Sequence, residues 1–268
     1  AGKGVLVSKN VKEAKEWVDS VMNNALFGVA GENILIEECL YGTELSFMGV
    51  MTPSEFIPFE TSVDYKPLLN RNKGPNTGGM GCISPSPFMN DVLREKIIKK
   101  VVQPTIDGLN KMGVSYYGFM YFGLMVKDDN PQVLEFTCRL GDPETQCLMM
   151  QMDSDLVECL EDALNNKKVS ISWKQGSSMG VVIASSGYPE KYKTKLPIKI
   201  GNLDKLKLFH AGTEIVENEL LTSGGRVFSL NYHASNLEDC MSYIYNRMDE
   251  IKFDGTIYRT DIGKIYES

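Results

Sequence analysis

The sequence has few of the residue types and patterns that define several large classes of protein. It contains only two histidines, His210 and His233, so a histidine-based zinc site or a Ser-His-Asp triad has few ways to form. No apolar run approaches the roughly 20 residues that a membrane-spanning helix needs. The first residues, AGKGVLV, lack the basic-then-apolar layout of a signal peptide. These absences predict a chain with no membrane partner.

Excess positive charge and paired cysteines are missing as well. The 28 Lys and Arg residues are outnumbered by 35 Asp and Glu residues, which gives a formal net charge of −7. Nucleic acid is not an expected partner, because contacts to its phosphates need clustered basic side chains. None of the six cysteines belongs to a C-x-x-C pair, and several lie in apolar periodic segments. We therefore expect buried free thiols and a cytoplasmic location.

The length of 268 residues allows one large domain or two ordinary ones. Periodicity and turn signals first predict a helix capped by Asn10 and strands over 32–40, 44–51 and 55–59. A long Gly- and Pro-rich segment over 61–87 and a helix from Asn90 to Gly113, kinked at Pro104, are predicted next. A hairpin of strands 116–127 and 132–139 and helices behind Asp142 and Asp155 complete this part.

A change of texture follows residue 165. The strings NNKK and QGSS separate the helical part from short strands with tight turns and a final helix over about 237–251. We expect a boundary near residues 166–178 and a separate C-terminal α+β domain, with the strands on either side in different sheets.

The string VLEFTCRLGDPE, which starts at Val133, carries the strongest chemical signal. Because side chains alternate between the faces of a strand, Glu135, Thr137 and Arg139 share one face. Phe136 and its apolar neighbours are predicted to face the core. A carboxylate beside a hydroxyl offers the hard oxygen ligands that Mg²⁺ takes. The plainer alternatives are a solvent-facing strand side and, for Asp142, a helix cap.

A second string, GPNTGGMG at residues 74–81, holds four glycines in eight positions. It is neither a P-loop nor a Rossmann fingerprint, since it lacks both Gly-Lys-Ser/Thr and G-x-G-x-x-G. A backbone with so few Cβ atoms can approach a ligand closely and direct successive N–H groups at phosphate or carboxylate. A flexible surface loop is the alternative. Asp64 and Lys66, just upstream, add a charged pair to the same segment.

A third string, IEECLYGTE, places Glu37, Glu38 and Glu44 around a predicted strand exit and a turn at Gly42. Solvated acids are the default interpretation of such a cluster. A strand exit can also present backbone groups to an adenine edge and a carboxylate to ribose hydroxyls, but spacing alone makes that signal weak.

Taken together, these strings resemble the glycinamide ribonucleotide synthetases of the ATP-grasp superfamily. AGKGV is similar to the end of that family's phosphate loop, ILIEECLYGTELSF to its hinge strand, GPNTGGMG to its signature loop and VLEFTCRLGDPETQ to its metal-binding strand. GYP, HAGT, GGRV and YRTDIG resemble landmarks of its C-terminal domain. The resemblance covers the whole chain, and the ordered pair GPNTGGMG and LEF-x-x-R-x-GDPE is highly specific.

The resemblance implies a fold and a reaction. The fold class is α+β, the C-terminal part of an ATP-grasp fold followed by a small α+β domain. Residues 1–36 then correspond to a remnant of the lid subdomain, 37–172 to the main subdomain and 173–268 to the C-terminal domain. The implied reaction joins glycine to 5-phosphoribosylamine through a glycyl phosphate, with ATP and Mg²⁺ or Mn²⁺, in the second step of de novo purine synthesis. A monomer with only small-molecule partners is expected.

Site residues carry over by position. The metal ligands would be Glu135 and Thr137, and the groups at the reacting centre Arg139 and Asp142. The ATP contacts would be Lys3, Glu37, Glu38, Cys39, Leu40 and Glu44. The substrate contacts would be Asp64, Lys66, Asn76, Thr77, Gly78, Gly79, Met80 and Gly81.

The sequence departs from the family in ways that bear on these roles. The family usually has Asn at the position of Thr137 and Phe at that of Leu140, and it often has His at that of Tyr65. Family members also carry an N-terminal substrate domain upstream of AGKGV, which leads us to expect an N-terminally shortened chain. Two alternatives remain: another ATP-grasp carboxylate–amine ligase or carboxylase, or a nucleotide-binding fragment without turnover.

Overall fold

The structure is a computed structural model that describes residues 4–266. It divides into two compact units, Ala1–Tyr41 and Gly42–Ser268. Lys3, one of the predicted ATP contacts, lies outside the described residues.

The first unit is built around helix α1, Val11–Val18. The side chain of Asn10 caps it by accepting a hydrogen bond of 3.0 Å from the amide of Glu13, which confirms the predicted cap. A π-helical turn, Asp19–Asn23, and a 3₁₀ turn, Gly28–Gly31, follow. The predicted helix is therefore confirmed, and it continues into a π-helical turn.

The strand predicted over residues 32–40 is wrong. Residues 34–41 have no regular secondary structure, and the side chains of Leu35 and Ile36 are 81% and 82% exposed. A strand is stable only when a neighbouring strand completes its backbone hydrogen bonds, and none of the described residues pairs with this segment. Its apolar alternation alone is not enough to form one.

The second unit contains the remaining helices and all the strands that the structure describes. The helices are α2 Asp91–Ile97, α3 Gln103–Lys111, α4 Glu144–Gln151, α5 Leu156–Leu164 and α6 Leu237–Tyr245. The strands are β1 Thr43–Met51, β2 Phe56–Pro58, β3 Val63–Asp64, β4 Pro67–Leu69, β5 Lys73–Asn76, β6 Gly81–Ser84, β7 Gly118–Lys127, β8 Asn130–Thr137, β9 Ser177–Ser185, β10 Lys199–Ile200, β11 Lys207–His210, β12 Thr213–Val216, β13 Glu219–Thr222, β14 Arg226–Ala234, β15 Ile251–Lys252 and β16 Thr256–Ile257.

A four-stranded antiparallel sheet in the order β2-β1-β7-β8 forms one half of this unit. The predicted hairpin of β7 and β8 is confirmed, and both turn residues, Asp128 and Asp129, have φ near +50° as a tight hairpin turn requires. One face packs on α2 and α3, which are joined by a π-helical segment, Ile98–Val102, just before the predicted kink at Pro104. The other face packs on α4 and α5.

The second sheet overturns the expected separation at residue 172. Its order is β11-β14-β9-β6-β3, with β16 also paired to β9. Strand β6, which precedes the predicted boundary, bonds directly to β9, which follows it, with Cys82 opposite Gly180. The sheet is thus continuous across the boundary, because β6 of the 61–87 segment pairs with β9, the first strand after residue 172.

Helix α4 packs between the two sheets. Its Leu148 belongs to the apolar core of the first sheet, while the thiol of Cys147 donates to the carbonyl of Cys82 on the second, at 3.3 Å. The start of this helix therefore lies where the two sheets meet. Both signature strings, residues 74–81 and 133–144, end at this junction.

The remaining expectations concern membrane-spanning helices, the cysteines and the final helix. None of the helices that the structure describes has the length and hydrophobicity needed to cross a membrane. All six cysteines are free thiols, and four are buried as predicted, but Cys39 and Cys138 are exposed. The final helix, α6, ends at Tyr245, earlier than the expected 251, and a short 3₁₀ turn, Met248–Glu250, follows.

Candidate functional site

The amine of Lys66 lies at the centre of a cluster of acidic side chains. Its Nζ is 2.9 Å from Oε2 of Glu44 on β1. Burial lowers the pKa of Lys66, but Glu44 and, more weakly, Asp64 and Glu135 outweigh it, so that the pKa of Lys66 is raised. The lysine is therefore charged at neutral pH and is surrounded by carboxylates from three parts of the sequence.

Two further carboxylates of the cluster are buried. Glu144 is 2% exposed, and its Oε1 accepts a hydrogen bond of 3.0 Å from the hydroxyl of Ser46. Oδ1 of Asp64 is buried and has no hydrogen-bond partner among residues 4–266. Burial, and next the nearby Glu144 carboxylate, raise the pKa of Asp64 well above its usual range, while burial raises the pKa of Glu144. An unsatisfied buried carboxylate costs stability, which marks Asp64 as a candidate functional group.

A cavity of about 200 Å³ opens beside this cluster. Its polar lining includes Glu44, Asp64, Lys66, Asn76 and Lys264. Apolar side chains complete the wall. A smaller cavity of about 10 Å³ shares the first three of these residues and reaches Tyr121. Four sequence-predicted site residues, Glu44, Asp64, Lys66 and Asn76, are thus brought together around a ligand-sized space.

The apolar residues of the proposed metal strand, β8, are less buried than expected. It is an edge strand, and Phe136 is 54% exposed, with its ring edge-on to Phe122 at 5.7 Å. Glu135 and Thr137 are half-buried and lie opposite Gly123 and Tyr121 in the register with β7. A Cβ atom on Gly123 would lie 2.9 Å from Cγ of Glu135, so the glycine makes room for the acid.

These two residues suit a hard divalent cation. Among residues 4–266, no group of three or more His, Cys, Asp and Glu side chains is arranged to hold a metal ion. Mg²⁺ does not need such a group, since it uses one or two carboxylates and keeps several water molecules. A carboxylate and a hydroxyl on one face of β8, both oxygen donors, fit that requirement.

The glycine-rich loop is folded back on the protein. The amides of Thr77 and Met80 donate to the carbonyls of Lys66 and Tyr65, both at 2.9 Å. The amide of Gly79 donates to the hydroxyl of Thr77 at 3.0 Å, and that of Gly78 to a tyrosine hydroxyl at 2.9 Å. The expectation that successive N–H groups point at an anion is therefore wrong for this stretch.

Its glycines serve close packing instead. Gly79 has φ +113°, and a Cβ atom there would lie 2.4 Å from Cδ of Pro143 and 2.6 Å from Oδ1 of Asp64. Only a glycine allows the loop to pass between the buried carboxylate and the turn that begins α4. The loop is thus a wall of the site, fitted against Asp64.

Arg226, which sequence reasoning did not single out as a site residue, joins the two signature strings. Its Nη1 donates to the carbonyls of Gly78 at 2.7 Å, Asp142 at 2.8 Å and Gly79 at 3.4 Å. Its Nη2 lies 2.9 Å from Oδ2 of Asp142. The only sequence signal was the GGRV landmark. One guanidinium from the start of β14 therefore fixes the glycine-rich loop to the turn before α4.

The predicted reacting-centre residues, Arg139 and Asp142, are not among those that line the 200 Å³ cavity. Arg139 is exposed beyond the end of β8, and its Nη1 donates to the carbonyl of Leu140 at 2.9 Å. Asp142 does not cap α4, because its Oδ1 accepts from Nε2 of Gln146 at 3.0 Å and its Oδ2 faces Arg226. The interpretation of Asp142 as a helix cap is wrong.

The predicted adenine contacts belong to the first unit. Glu37, Glu38 and Cys39 are exposed there, and Leu40 is half-buried. Asn76 is exposed at the end of β5, whereas Gly81 is buried at the start of β6. Of the predicted ATP contacts, only Glu44 lies in the second unit with the carboxylate cluster.

The arrangement of sheets and loops defines the class. A solved phosphoribosylamine–glycine ligase from Thermotoga maritima has a TM-score of 0.83 at 30% identity and covers 93% of this chain and 64% of its own. The biotin carboxylase domain of a Hydrogenobacter thermophilus 2-oxoglutarate carboxylase has a TM-score of 0.67 at 15% identity, covering 96% of this chain and 56% of its own, which supports the fold alone. The chain is an ATP-grasp protein.

The family follows from the sequence comparisons. The phosphoribosylglycinamide synthetase ATP-grasp (A) domain matches residues 1–145, and the C domain of the same family matches residues 178–265. The phosphoribosylamine–glycine ligases of Salmonella typhimurium and Escherichia coli O157:H7 are 41% and 40% identical over 98% of this chain. The chain belongs to the phosphoribosylglycinamide synthetase family. It spans 63% of the length of these two relatives.

Proposed function

We propose that the protein ligates glycine to 5-phosphoribosylamine at the expense of ATP. The glycine carboxylate is phosphorylated to glycyl phosphate, and the amine of phosphoribosylamine attacks the acyl carbon. The C–N bond forms as the acyl–oxygen bond to phosphate breaks, and the amine loses a proton. The observation that carries this proposal is the packing of the glycine-rich family loop against Asp64, Lys66 and the turn before α4, beside a cavity of ligand size.

The charges of the site suit this chemistry. Phosphoryl transfer depends on positioning and on neutralising the phosphate oxygens more than on covalent help from the protein. A divalent cation, Mg²⁺ or Mn²⁺, held by Glu135 and Thr137, would supply part of that neutralisation. Lys66, kept charged by Glu44, would supply a fixed positive charge at the cavity.

We assign the remaining roles as follows. Asp64 and the loop of residues 76–81 form the wall that faces glycine and phosphoribosylamine, and Arg139 and Asp142 act at the reacting centre. Glu44 is a ribose contact, and Glu37, Glu38, Cys39 and Leu40 contact adenine. Lys3 contacts phosphate. Two observations support these roles: the family membership, and the position of Glu44, Asp64 and Lys66 around one cavity.

We also propose the division into a lid remnant at residues 1–36, a main ATP-grasp subdomain at 37–172 and a C-terminal domain at 173–268. The gap between the two family matches, from residue 145 to residue 178, supports it, although the second sheet crosses it. A monomeric state in the cytoplasm is proposed as well, and sedimentation equilibrium of the purified protein tests the monomer.

The decisive experiment is a turnover assay on the longest natural form of the protein. ADP and phosphate should appear only when glycine, phosphoribosylamine, ATP and Mg²⁺ are all present, and the product should have the mass of glycinamide ribonucleotide. Bicarbonate in place of glycine is the control for a carboxylase. Binding of ATP without phosphate release, or turnover with bicarbonate, would contradict the proposal.

A further inference from the structure

The segment that carries Asp64 and Lys66 is anchored from its opposite face. In an extended segment, alternate side chains point in opposite directions. Asp64 and Lys66 line the cavity, and Tyr65 between them also borders it. Tyr65 is nevertheless only 4% exposed and packs in the core of the second sheet. The Tyr65 hydroxyl donates to the carbonyl of Lys264 and accepts from the amide of Gly263, both at 3.2 Å. The last described residues therefore hold this segment in place.

A buried ion pair extends the same anchor. The guanidinium of Arg259 is fully buried and donates to both carboxylate oxygens of Asp261, at 2.8 and 2.9 Å. It also donates to the carbonyl of Pro67 at 3.0 Å and to Oδ1 of Asn72 at 3.1 Å. Its carbon Cζ lies 5.1 Å from the ring centre of Tyr65.

The pair contacts both ends of the short hairpin β4–β5. Oδ2 of Asp261 accepts a hydrogen bond of 2.7 Å from the amide of Arg71 at the hairpin turn. The hydrogen bonds of Arg259 from Nη1 and Nη2 reach the start of β4 and the turn. This hairpin connects Lys66 to the glycine-rich loop, so the ion pair fixes the backbone on which both are carried.

Stability alone does not account for the pair. Replacing a buried ion pair by apolar side chains of similar volume is often neutral or stabilising, because desolvation offsets the attraction. What an apolar replacement cannot supply is directed bonding to one carbonyl, one amide and one side-chain oxygen at fixed positions. The role of such a pair is therefore to hold a backbone in one geometry.

We propose that Tyr65, Arg259 and Asp261 form a C-terminal strap that positions Asp64 and Lys66 for the reaction. Lys264 and Tyr266, just beyond the strap, also line the cavity. The inference rests on the proposed ligase function for its kinetic consequence, but its structural consequence is independent of that function. All three are positioning residues, since none is assigned a contact with substrate.

The first test is hydrogen exchange in Tyr65→Phe, which keeps the ring and removes the hydroxyl. The amides of Thr77 and Met80, whose acceptors are the carbonyls of Lys66 and Tyr65, should exchange about tenfold faster, while the amides of β1 and β7 keep their wild-type rates. Tyr243→Phe is the matched control, because its hydroxyl bonds Asp204 on the exposed surface. Equal acceleration throughout the second unit would indicate general destabilisation and would overturn the proposal.

The second test is kinetic and uses the longest natural form of the protein. Tyr65→Phe should lower kcat/KM for phosphoribosylamine about tenfold and leave the KM for ATP unchanged. Tyr65→His introduces the residue that the family often has, and it should retain most of the activity that Tyr65→Phe loses. Tyr245→Phe, which removes a hydroxyl bonded to the carbonyl of Arg259 and the amide of Ile262, should give a smaller loss in the same direction.

The outcomes separate the two proposals. If the wild-type protein does not ligate glycine, the proposed function fails, and the exchange measurement still judges the strap. If the wild type ligates glycine and Tyr65→Phe has the same exchange rates and the same kinetic constants, the proposed positioning role of the strap is wrong.

Discussion

Replacing Arg226 with glutamine should loosen the junction between the two signature strings. The arginine makes two short hydrogen bonds to backbone carbonyls, those of Gly78 at 2.7 Å and Asp142 at 2.8 Å, and its side chain is 20% exposed. Glutamine is neutral and shorter, and its amide can replace one of these bonds at most. At least one of these two carbonyls would then lose its partner.

The expected size of the effect follows from these contacts. A hydrogen bond from a charged donor contributes about 1.5–3 kcal/mol. The ion pair with Asp142 adds less than about 1 kcal/mol, because the side chain of Asp142 is 51% exposed and solvent screens the attraction. We therefore expect Arg226→Gln to lower the free energy of unfolding of the second unit by roughly 2–3 kcal/mol.

Arg247→Gln is the matched control. Arg247 lies over the ring of Tyr243 at 4.2 Å and 3.3 Å from Asp204, away from both signature strings. An exposed cation–π contact and a surface ion pair together contribute about 1 kcal/mol. The control thus removes the same charge from the same part of the chain without touching the loop junction.

Urea titration followed by tryptophan fluorescence measures both variants. Trp173 reports on the second unit through its packing against Phe59, at 5.7 Å between ring centres. Trp17 belongs to the first unit, so both variants are made in a Trp17→Phe background. The reasoning would be refuted if Arg226→Gln were no more destabilising than Arg247→Gln.

Three further outcomes are expected. Glu135→Ala should abolish most Mg²⁺-dependent turnover without changing the far-ultraviolet circular dichroism, and wild-type turnover would contradict its role. Thr137→Asn should retain activity, whereas Thr137→Val should weaken Mg²⁺ binding by about 1–3 kcal/mol, measured by titrating the initial rate with Mg²⁺. The reverse order would indicate that position 137 only packs. Burial and the Glu144 carboxylate raise the folded-state pKa of Asp64, so its stabilising contribution is present below the unfolded pKa and is lost as pH rises through the folded value. Asp64→Asn should therefore raise the free energy of unfolding at pH 7 relative to wild type, and an unchanged pH dependence in urea titrations from pH 4 to 8 would count against this.

Local patterns predicted the elements whose stability is local. The Asn10 cap, the hairpin β7–β8 and its Asp128–Asp129 turn depend on neighbours within a few residues, and all three are confirmed. The strand over 32–40 failed for the opposite reason, because alternation says nothing about whether a pairing strand exists. The same limit explains why Phe136 was wrongly assigned to the core, since an edge position is set by the order of strands and not by one strand's sequence.

The site could be predicted only as separate strings. The carbonyl of Gly78 and the guanidinium of Arg226 are 148 residues apart, and no spacing rule connects them. The same holds for Arg259 and Asn72, which are 187 residues apart. Sequence resemblance identified Asp64, Lys66 and Glu44 as candidates, but only the fold shows that the amine of Lys66 bonds Glu44 and that Asp64 lies against the glycine-rich loop.

The charge balance of the cluster is the physical reason to regard it as a binding site. Glu44, Asp64, Glu135 and Glu144 contribute carboxylates around the amine of Lys66, and Arg226 acts on Asp64 from the edge. Burying more acids than bases opposes folding, because desolvation penalises each ionised group and like charges repel. A fold selected for stability alone would pair or remove them. Binding of a cation and an amine substrate would relieve the same repulsion, which agrees with the ligase function proposed above.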